Sequence, residues 1–357
     1  MYWKAGCMKL KPVIAISMGD PAGIGAEICV KALSRSEISD KCISIVVGDR
    51  AAIEDAMRFC GLELRMNVIT APEAAEDCAG VINLIDTGLL SQGSWEYKKA
   101  TAPTGEASFR YVVKAIELAM GGSADAVVTG PISKEAINMA GHHYSGHTEI
   151  FAEYTGTGSY GMLLCGGGLR VIHVTTHMSL EDACRTISQQ RVYRAIKLAE
   201  YSMRLLGISQ PKIGVAGLNP HSSENGLFGS QERDSIIPAI EKARAEGLDV
   251  TGPVPPDTVF VKALGGQFDV VVAMYHDQGH IPIKLCGFRM DPATGKYTSM
   301  SGINCTVGLP FIRSSVDHGT AYGKAGEGRA NPDSMTEAIE AAVTMSENMK
   351  IIDRPDF

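Results

Sequence analysis

The sequence lacks the features that mark membrane-spanning and disulfide-stabilised proteins. No run approaches the roughly 20 apolar residues of a membrane-spanning helix. The nine cysteines are odd in number and form no C-x-x-C pair, so we expect reduced thiols and no disulfide framework. Met1 to Lys11 has no apolar core of about 7 to 15 residues, which argues against a signal peptide, and Met8 is a candidate natural start. We therefore expect a soluble cytoplasmic protein.

A long basic run is also missing. The net charge is -7 over 357 residues, and the lysines and arginines are scattered along the chain. The sequence therefore has no electrostatic footprint for nucleic acid or for an anionic membrane. A small molecule is the expected partner.

Short β-branched runs alternate with segments of helical spacing. A chain of 357 residues exceeds the roughly 250 to 300 at which single cores stop growing, so we expect two lobes. Residues 8–137 with 308–357 are predicted to form one lobe, and residues 138–307 the other. Helical spacing marks Gly105 to Met120, Gln190 to Leu206 and Ile236 to Ala245. The predicted strands are Val13 to Ser17, Ile43 to Val47, Val81 to Ile85, Ala126 to Thr129, Gly161 to Cys165, Val171 to Thr175, Ile213 to Ala216 and Phe268 to Met274. This alternation predicts an α/β fold with a largely parallel sheet.

A glycine-rich segment, GDPAGIG at residues 19–25, follows the first predicted strand and opens a helix. Its spacing is G-x-x-x-G-x-G, not the dinucleotide motif G-x-G-x-x-G, and the Walker lysine is absent. Free N–H groups at a helix start suit an anion. Two alternatives stay open, an architectural turn that lines a cleft and a direct phosphate contact.

Three histidines, His177, His221 and His276, each follow an apolar run. Ligands bind at the carboxyl ends of parallel strands, so these side chains can converge. Three imidazoles with open positions would form a catalytic metal site. The alternative is that each histidine is a plain polar residue at a strand end. Asp257 and Asp277 could orient metal ligands, although Asp257 could equally cap a helix.

Further candidates would bind an anion. His147 and Thr148 could donate hydrogen bonds to a phosphate or carboxylate, or Thr148 could cap the following helix. Lys284 and Arg313, with Asn304 between them, lie in otherwise apolar stretches where an unpaired charge would be costly. A bound anion or a structural salt bridge would serve equally well as the partner.

A glycine-rich loop precedes the C-terminal helix. It contains Asp317-His318-Gly319-Thr320-Ala321 and then AGEGRANP at residues 325–332. Its backbone groups and Asn331 could wrap a nucleotide, or it could be an ordinary loop.

Seven motifs stand in one order between Val13 and Ile339: GDPAGIG, VTGPISK, GHTE, GLNPH, PPDT, YHDQG and GLPFIRSSVDHGTA. Together they resemble the 4-hydroxythreonine-4-phosphate dehydrogenase family of vitamin B6 (pyridoxine) biosynthesis. The resemblance implies an isocitrate/isopropylmalate dehydrogenase-like fold with two α/β/α lobes and an interlobe cleft. It also implies a homodimer whose active site is completed by the partner subunit. The implied reaction is metal-dependent, NAD-linked oxidation of a small phosphorylated hydroxy acid, followed by loss of carbon dioxide.

The resemblance also assigns residues. His177 and His221 would bind a divalent metal, such as zinc, cobalt, manganese or magnesium, with His276 supplied by the other chain. Asp257 and Asp277 would hold the site together, and Lys284 would join them as a catalytic residue. The substrate-binding positions are His147, Thr148, Lys284, Asn304 and Arg313. The glycine-rich loop is similar to the loop that holds the adenosine half of the cofactor in isopropylmalate enzymes, which implies cofactor contacts from His318, Gly319, Thr320, Ala321 and Asn331.

One departure bears on the substrate. After YHDQG the chain reads HIPIK, and a long stretch from Met290 to Ser301 precedes Asn304. These features resemble a second branch of the family, which acts on 4-phospho-D-threonate or 4-phospho-D-erythronate, and a neighbouring diol dehydrogenase branch of aromatic breakdown. We expect a substrate of this second branch ahead of the B6 intermediate. Two hypotheses of other classes are a His-metal hydrolase, which would leave the glycine-rich loop without a role, and a non-catalytic metabolite-binding module.

Overall fold

The computed structural model describes residues 11–293 and 295–355, so the candidate start at Met8 lies outside the described residues. The strands β1 to β14 span Val13–Ser17, Ile43–Gly48, Arg65–Ile69, Val81–Asp86, Ala126–Thr129, Gly161–Gly166, Leu169–His173, Ile213–Ala216, Val250–Val254, Val270–Ala273, Phe288–Asp291, Lys296–Met300, Ile303–Val307 and Ile312–Val316. The helices α1 to α12 span Gly25–Leu33, Ser36–Ser39, Arg50–Cys60, Ala102–Met120, Lys134–Met139, His147–Thr155, Leu180–Thr186, Gln189–Leu205, Ile237–Ala245, Val259–Leu264, His276–Gly287 and Asp333–Met349.

One large sheet runs through the described chain, in the order β3-β4-β2-β1-β5-β14-β13-β6-β7-β10-β8-β9. Eight of its eleven neighbouring pairs are parallel. The three antiparallel pairs are consecutive, because β13 runs against both β14 and β6, and β6 runs against β7. This central seam joins two parallel groups of strands that run in opposite directions. The predicted α/β class with a largely parallel sheet is confirmed.

Helices cover both faces of the inner strands, whose side chains are apolar on both faces. Ile14, Ala15 and Ile16 are fully buried in β1, so successive side chains on opposite faces are both removed from water. Among the covering helices, α12 packs on β14 and α8 packs on β10. The continuous apolar runs that predicted the strands are therefore a consequence of this two-sided burial.

The predicted elements lie close to the observed ones. Each of the three predicted helices is present with ends shifted by at most three residues, and α4 begins at a capping box between Thr101 and Thr104. Strands β3, β9 and β11 to β14 were not predicted. The strand predicted at Val171 to Thr175 instead spans Leu169–His173. The lobe bounds stay a prediction.

Two observations bear on the expected compartment. The cysteines between Cys29 and Cys305 are free thiols in the structure. Within residues 11–293 and 295–355, no helix combines the length and the apolar character that crossing a membrane requires.

The contact between α4 and α5 provides a test of this packing. A Cβ atom added at Gly105 would lie 1.9 Å from the carbonyl oxygen of Ala136, which is backbone and cannot turn away. We expect Gly105→Ala to lower the free energy of unfolding by about 2 to 3 kcal/mol, the upper part of the usual cost of overpacking. Urea unfolding followed by circular dichroism measures it.

Gly158→Ala is the matched control, because no described atom lies within 4 Å of the Cβ position there. Equal unfolding midpoints for the two variants would contradict the observed α4–α5 contact.

Candidate active site

A cavity of about 270 Å³ lies where β13 and β14 meet the start of α6 and the segment after β7. Its volume is close to the lower end of the roughly 300 to 1,000 Å³ that is usual for small-ligand sites. Seven predicted site residues from separate parts of the chain line it: His147, Thr148, His177, Asn304, Arg313, His318 and Gly319. Expected substrate, metal and cofactor residues therefore meet at one place.

Arg313 lies in the middle of the sheet on β14 and is only 2% exposed. Its Nη1 is 3.1 Å from Oγ1 of Thr306, and its Nη2 is 2.7 Å from Oγ1 of Thr129. Within the described residues its buried Nε has no hydrogen-bond partner, and no carboxylate lies within salt-bridge distance. Burial lowers the pKa of Arg313 to about 10, so the side chain remains a cation at neutral pH. A buried cation whose described hydrogen-bond partners are hydroxyl oxygens is expected to attract an anion.

Three more buried polar atoms of the cavity are unsatisfied among the described residues: Nε2 of His147, Oδ1 of Asn304 and Oε2 of Glu149. Burial, and then the charge of Arg313, hold the pKa of His147 well below its usual value, so this imidazole is neutral. Buried polar atoms normally have partners, so these groups indicate that the cavity is built for a polar ligand.

Thr148 is the next residue of α6 and is buried at the cavity wall. The N-cap of α6 is Gly146, and no side chain caps this helix start. The alternative in which Thr148 caps the helix is therefore not what the structure contains.

Lys284 and Arg313 differ in their partners, although the sequence offered the same two alternatives for both. The Nζ of Lys284 donates to the backbone oxygen of Asp317 at 2.9 Å and also to its carboxylate. The ammonium also lies 4.4 Å from the ring centre of Phe288. Asp317 lines the cavity, and Lys284 does not. A salt bridge thus satisfies Lys284, and its predicted substrate-binding and catalytic roles stay predictions.

The three candidate metal ligands follow the carboxyl ends of three neighbouring strands. His177, His276 and His221 follow β7, β10 and β8, which are neighbouring and parallel. The ring centres of His177 and His276 are 5.8 Å apart within one chain. The Nδ1 of His276 is 2.6 Å from Oδ1 of Asp277, and a ring N–H held by a carboxylate leaves Nε2 available to a metal. These donors suit a divalent metal chemically.

His221 and Asp257 are exposed on loops after β8 and β9. His221 begins five consecutive non-glycine residues with left-handed φ angles, from 51° at His221 to 59° at Asn225, which is a costly conformation often found at functional sites. In the part of one chain that the structure describes, no group of three His, Cys, Asp or Glu side chains could hold a metal. The roles of His221 and Asp257 stay predictions.

Glu149 and His280 also line the cavity, and the sequence analysis gave them no role. Oε1 of Glu149 is 3.7 Å from Nδ1 of His177. The ring of His280 stacks on His276 with centres 3.6 Å apart, and its Nδ1 is 3.0 Å from the backbone oxygen of His276. Because a carbonyl only accepts, Nδ1 of His280 carries the hydrogen. The signal for His280 was its spacing of four residues from His276 on a helix.

A second groove of about 560 Å³ adjoins the cavity through His318 and Gly319, which line both. Ala321 and Asn331 also line this groove, so four of the five predicted cofactor residues border it. The carbonyl of the fifth, Thr320, instead accepts a hydrogen bond from the backbone N–H of Ile24 at 3.0 Å. The glycine-rich loop thus forms one wall of a groove next to the cavity.

Comparisons with known proteins identify the family. The family profile described as "Pyridoxal phosphate biosynthetic protein PdxA" matches residues 40–342. The chain is 46% identical to the D-threonate 4-phosphate dehydrogenase of Cupriavidus necator, over 94% of this chain and 97% of that protein. It is 44% identical to the 4-hydroxythreonine-4-phosphate dehydrogenase of Trichlorobacter lovleyi, over 94% and 98% of the two chains. The crystal structure of a 4-hydroxythreonine-4-phosphate dehydrogenase from Burkholderia phymatum has a TM-score of 0.80 at 43% identity, covering 94% of this chain and 99% of that one.

These relatives are named dehydrogenases, which confirms the predicted enzyme class and gives no support to the hydrolase or binding-module hypotheses. The predicted fold class agrees with the solved relative. The family predicted from the motifs is likewise confirmed, and the chain belongs to the PdxA family.

Proposed function

We propose that this protein is a metal-dependent, NAD-linked dehydrogenase that oxidises and decarboxylates a 4-phosphorylated hydroxy acid of the D-threonate or D-erythronate type. The observation that carries the proposal is the buried guanidinium of Arg313, whose salt-bridge partner is not found among the described residues. A phosphate is a suitable partner because it accepts several charge-assisted hydrogen bonds at once. Nε of Arg313 and the neutral imidazole of His147 are available to it in one cavity.

The choice of an amine-free acid is supported by the relatives and by the sequence. Relatives at 46% and 44% identity are named D-threonate 4-phosphate dehydrogenase. The HIPIK segment, which resembles the second branch, contributes His280 to the cavity.

The second candidate is 4-hydroxythreonine 4-phosphate, the B6 intermediate. One observation favours it: Oε2 of Glu149 is buried and lacks a partner among the described residues, so it could accept a hydrogen bond from an ammonium group. A relative at 44% identity is named for this activity.

The proposed metal ligands are His177 and His221 of one chain and His276 of the other. Asp277 would orient His276, and Oε1 of Glu149 is 3.7 Å from Nδ1 of His177. A divalent metal held there would lower the pKa of the substrate hydroxyl, polarise the carbonyl formed by oxidation and stabilise the charge left by decarboxylation. Arg313 and His147 would hold the phosphate end and so fix which carbon lies near His177.

The proposed NAD site is the groove lined by His318, Gly319, Ala321 and Asn331, beside the cavity. Nicotinamide there would accept the hydride. The ammonium of Lys284 is bound to Asp317, which lines the cavity. We propose Lys284, Asp257 and Asp277 as catalytic residues.

We also propose a homodimer that completes the site. One chain brings together His177 and His276, and the described residues of one chain do not form a three-ligand metal cluster. The helix that begins with His276 exposes Ile281 and Leu285, which are 64% and 79% exposed. An apolar face beside a candidate ligand favours a second copy as the neighbour, because exposed apolar patches mark interaction surfaces.

The substrate assignment is tested by NADH absorbance with purified protein, NAD and a divalent metal. We expect kcat/KM for 4-phospho-D-threonate or 4-phospho-D-erythronate to exceed that for 4-phosphohydroxy-L-threonine by at least about tenfold, since a site that pairs with one substrate's polar groups rejects its analogue. One carbon dioxide should appear per NADH. The reverse preference would assign the protein to the second candidate, and no turnover of any of the three would refute the proposed substrate class.

The metal requirement is tested by chelation. We expect removal of the metal to lower kcat by about 10³-fold or more and a divalent ion to restore it, because the metal is proposed to supply several kcal/mol of charge stabilisation. Asp277→Asn should weaken metal binding by about 10- to 100-fold, measured by competition with a chromophoric chelator.

The exposed Asp40 provides the control, and Asp40→Asn should leave metal affinity unchanged. Full activity after exhaustive chelation would rule out the metal.

The anion site is tested by Arg313→Met. Loss of a buried charged partner should lower kcat/KM by about 10²- to 10³-fold. The ligand-free variant should be as stable as the wild type or up to about 2 kcal/mol more stable, because the buried unpaired charge is removed. Inorganic phosphate should raise the melting temperature of the wild type and not that of the variant, as measured by differential scanning fluorimetry.

Arg110→Met is the control, since Arg110 is 58% exposed and pairs with Glu106 on the surface. Strong destabilisation of ligand-free Arg313→Met would show that Arg313 is structural, and full kcat/KM in this variant would show that Arg313 does not bind the substrate.

A further inference from the structure

The GDPAGIG segment has no role in the proposed chemistry, and of the two alternatives that the sequence left open its contacts favour the architectural turn. The backbone N–H of Ile24 donates to the carbonyl of Thr320 at 3.0 Å. A Cβ atom at Gly25 would lie 2.1 Å from the carbonyl oxygen of Met18, and one at Gly23 would lie 2.9 Å from that of Thr320. Backbone therefore packs against the start of α1, and the glycines permit this close approach.

Side chains of this turn and of α1 reach the glycine-rich loop about 300 residues later in the chain. Glu27 is 2% exposed, and its carboxylate accepts hydrogen bonds from the backbone N–H groups of Gly326 at 2.7 Å and Ala330 at 3.4 Å. The Nζ of Lys31, one helical turn further on, donates to the carbonyls of Gly328 at 2.6 Å and Ala330 at 2.8 Å.

Asp20 makes a third contact with the same loop. Its Oδ2 accepts a hydrogen bond from the hydroxyl of Tyr322 at 2.6 Å, and its Oδ1 accepts one from the backbone N–H of Ala22 at 2.9 Å. Asp20 thus makes one hydrogen bond within the turn before α1 and one to the start of the loop.

The loop residues that bind Asp20, Glu27 and Lys31 differ from those that line the groove. The residues bound by Asp20, Glu27 and Lys31 are Tyr322, Gly326, Gly328 and Ala330. The residues that line the groove are Gly323, Lys324, Arg329 and Asn331. The bound and groove-lining positions interleave, so the contacts with α1 fix the backbone that presents the groove-lining residues.

Gly326 and Gly328 adopt left-handed φ angles of 76° and 66°. A Cβ atom at Gly328 would lie 2.0 Å from the carbonyl oxygen of Phe59, at the end of α3. The loop is therefore packed on one side and hydrogen-bonded along its length, which leaves it few alternative conformations.

We infer that Asp20, Glu27 and Lys31 are positioning residues for the nucleotide: they hold the loop of residues 322–331 in its binding conformation before the nucleotide arrives. This inference rests on the proposed NAD site. A preformed loop loses little conformational entropy on binding, and rigidity of this kind raises affinity without adding a contact to the ligand.

Lys31→Met is the principal test. It removes the two hydrogen bonds from Nζ to the loop and changes no residue that lines the groove. We expect the Kd for NADH, from fluorescence titration, and the KM for NAD to rise by about 10- to 100-fold, the usual effect of losing hydrogen bonds from a charged donor. The KM for the phosphorylated substrate and kcat at saturating NAD should stay within about twofold, because the anion site is separate.

Three further variants sharpen the test. Lys31→Arg keeps donors at this position and should recover most of the NADH affinity. Tyr322→Phe removes one hydrogen bond to the Asp20 carboxylate, whereas Lys31→Met removes two to the loop, so Tyr322→Phe should raise the Kd by less. Lys41→Met removes a surface ion pair with Glu340, away from the groove, and should bind NADH like the wild type.

The outcomes separate this inference from the proposed function. A folded Lys31→Met protein that binds NADH like the wild type would overturn the inference and leave the proposed function standing. A parallel loss of kcat, substrate affinity and melting temperature would also overturn it, because the contacts would then be general stabilising contacts. A wild-type protein that binds no NADH would overturn the proposed NAD site and the inference together.

Discussion

The candidate site depends on one buried charge, the guanidinium of Arg313 at the seam of the sheet. Its described neighbours are the hydroxyls of Thr129 and Thr306 and the ring of Phe151, whose centre is 5.4 Å from Cζ. Hydroxyl oxygens replace part of the lost hydration of a cation and none of its counter-charge, so the ligand-free protein retains an unfavourable positive charge. An anion that enters the cavity removes this cost. Its binding energy can then orient the rest of a ligand against the histidines at the cavity wall.

The position of this charge depends on contacts that are remote in sequence. Thr129 ends β5 and is 184 residues from Arg313, and β14 reaches it only because it pairs with β5 on one side and with β13 on the other. Periodicity predicted β1 and β10, whose residues are apolar on both faces. It did not predict β13 and β14, because INCTV and IRSSV mix apolar residues with hydroxyls, an amide and a charge. The strands that carry Asn304 and Arg313 were thus missed because the polar residues that interrupt their apolar pattern are part of the site.

The motifs predicted which residues would line the cavity better than they predicted how each would be used. Lys284 and Arg313 look alike in sequence, each a cation in an apolar stretch. The fold brings Asp317 to Lys284, whereas no described carboxylate reaches Arg313. Pairing of this kind depends on side-chain positions in three dimensions, so the sequence offered a salt bridge and an anion as equal alternatives for both. The same limit applies to His280. The sequence shows its helical spacing of four residues from His276, but it does not show that His280 lines the cavity.

Polar groups near the groove have hydrogen-bond partners within the protein, whereas several polar groups of the cavity have none among the described residues. Along the glycine-rich loop, Glu27 and Lys31 satisfy backbone N–H and carbonyl groups, and a satisfied buried network is rigid. In the cavity, four atoms are buried without a partner among the described residues: Nε2 of His147, Oδ1 of Asn304, Oε2 of Glu149 and Nε of Arg313. Each such group costs free energy until a ligand pairs with it. A fold that satisfies the polar groups along the groove and leaves those of the cavity unsatisfied is suited to a polar ligand. Its anionic end would pair with Arg313, and its hydrogen-bond donors with Oδ1 of Asn304 and Oε2 of Glu149. GDPAGIG illustrates why sequence alone does not separate the two sets. Its glycines are those expected of a phosphate-binding turn, yet Asp20 binds the hydroxyl of Tyr322, and Glu27 of the following helix binds backbone N–H groups of the glycine-rich loop.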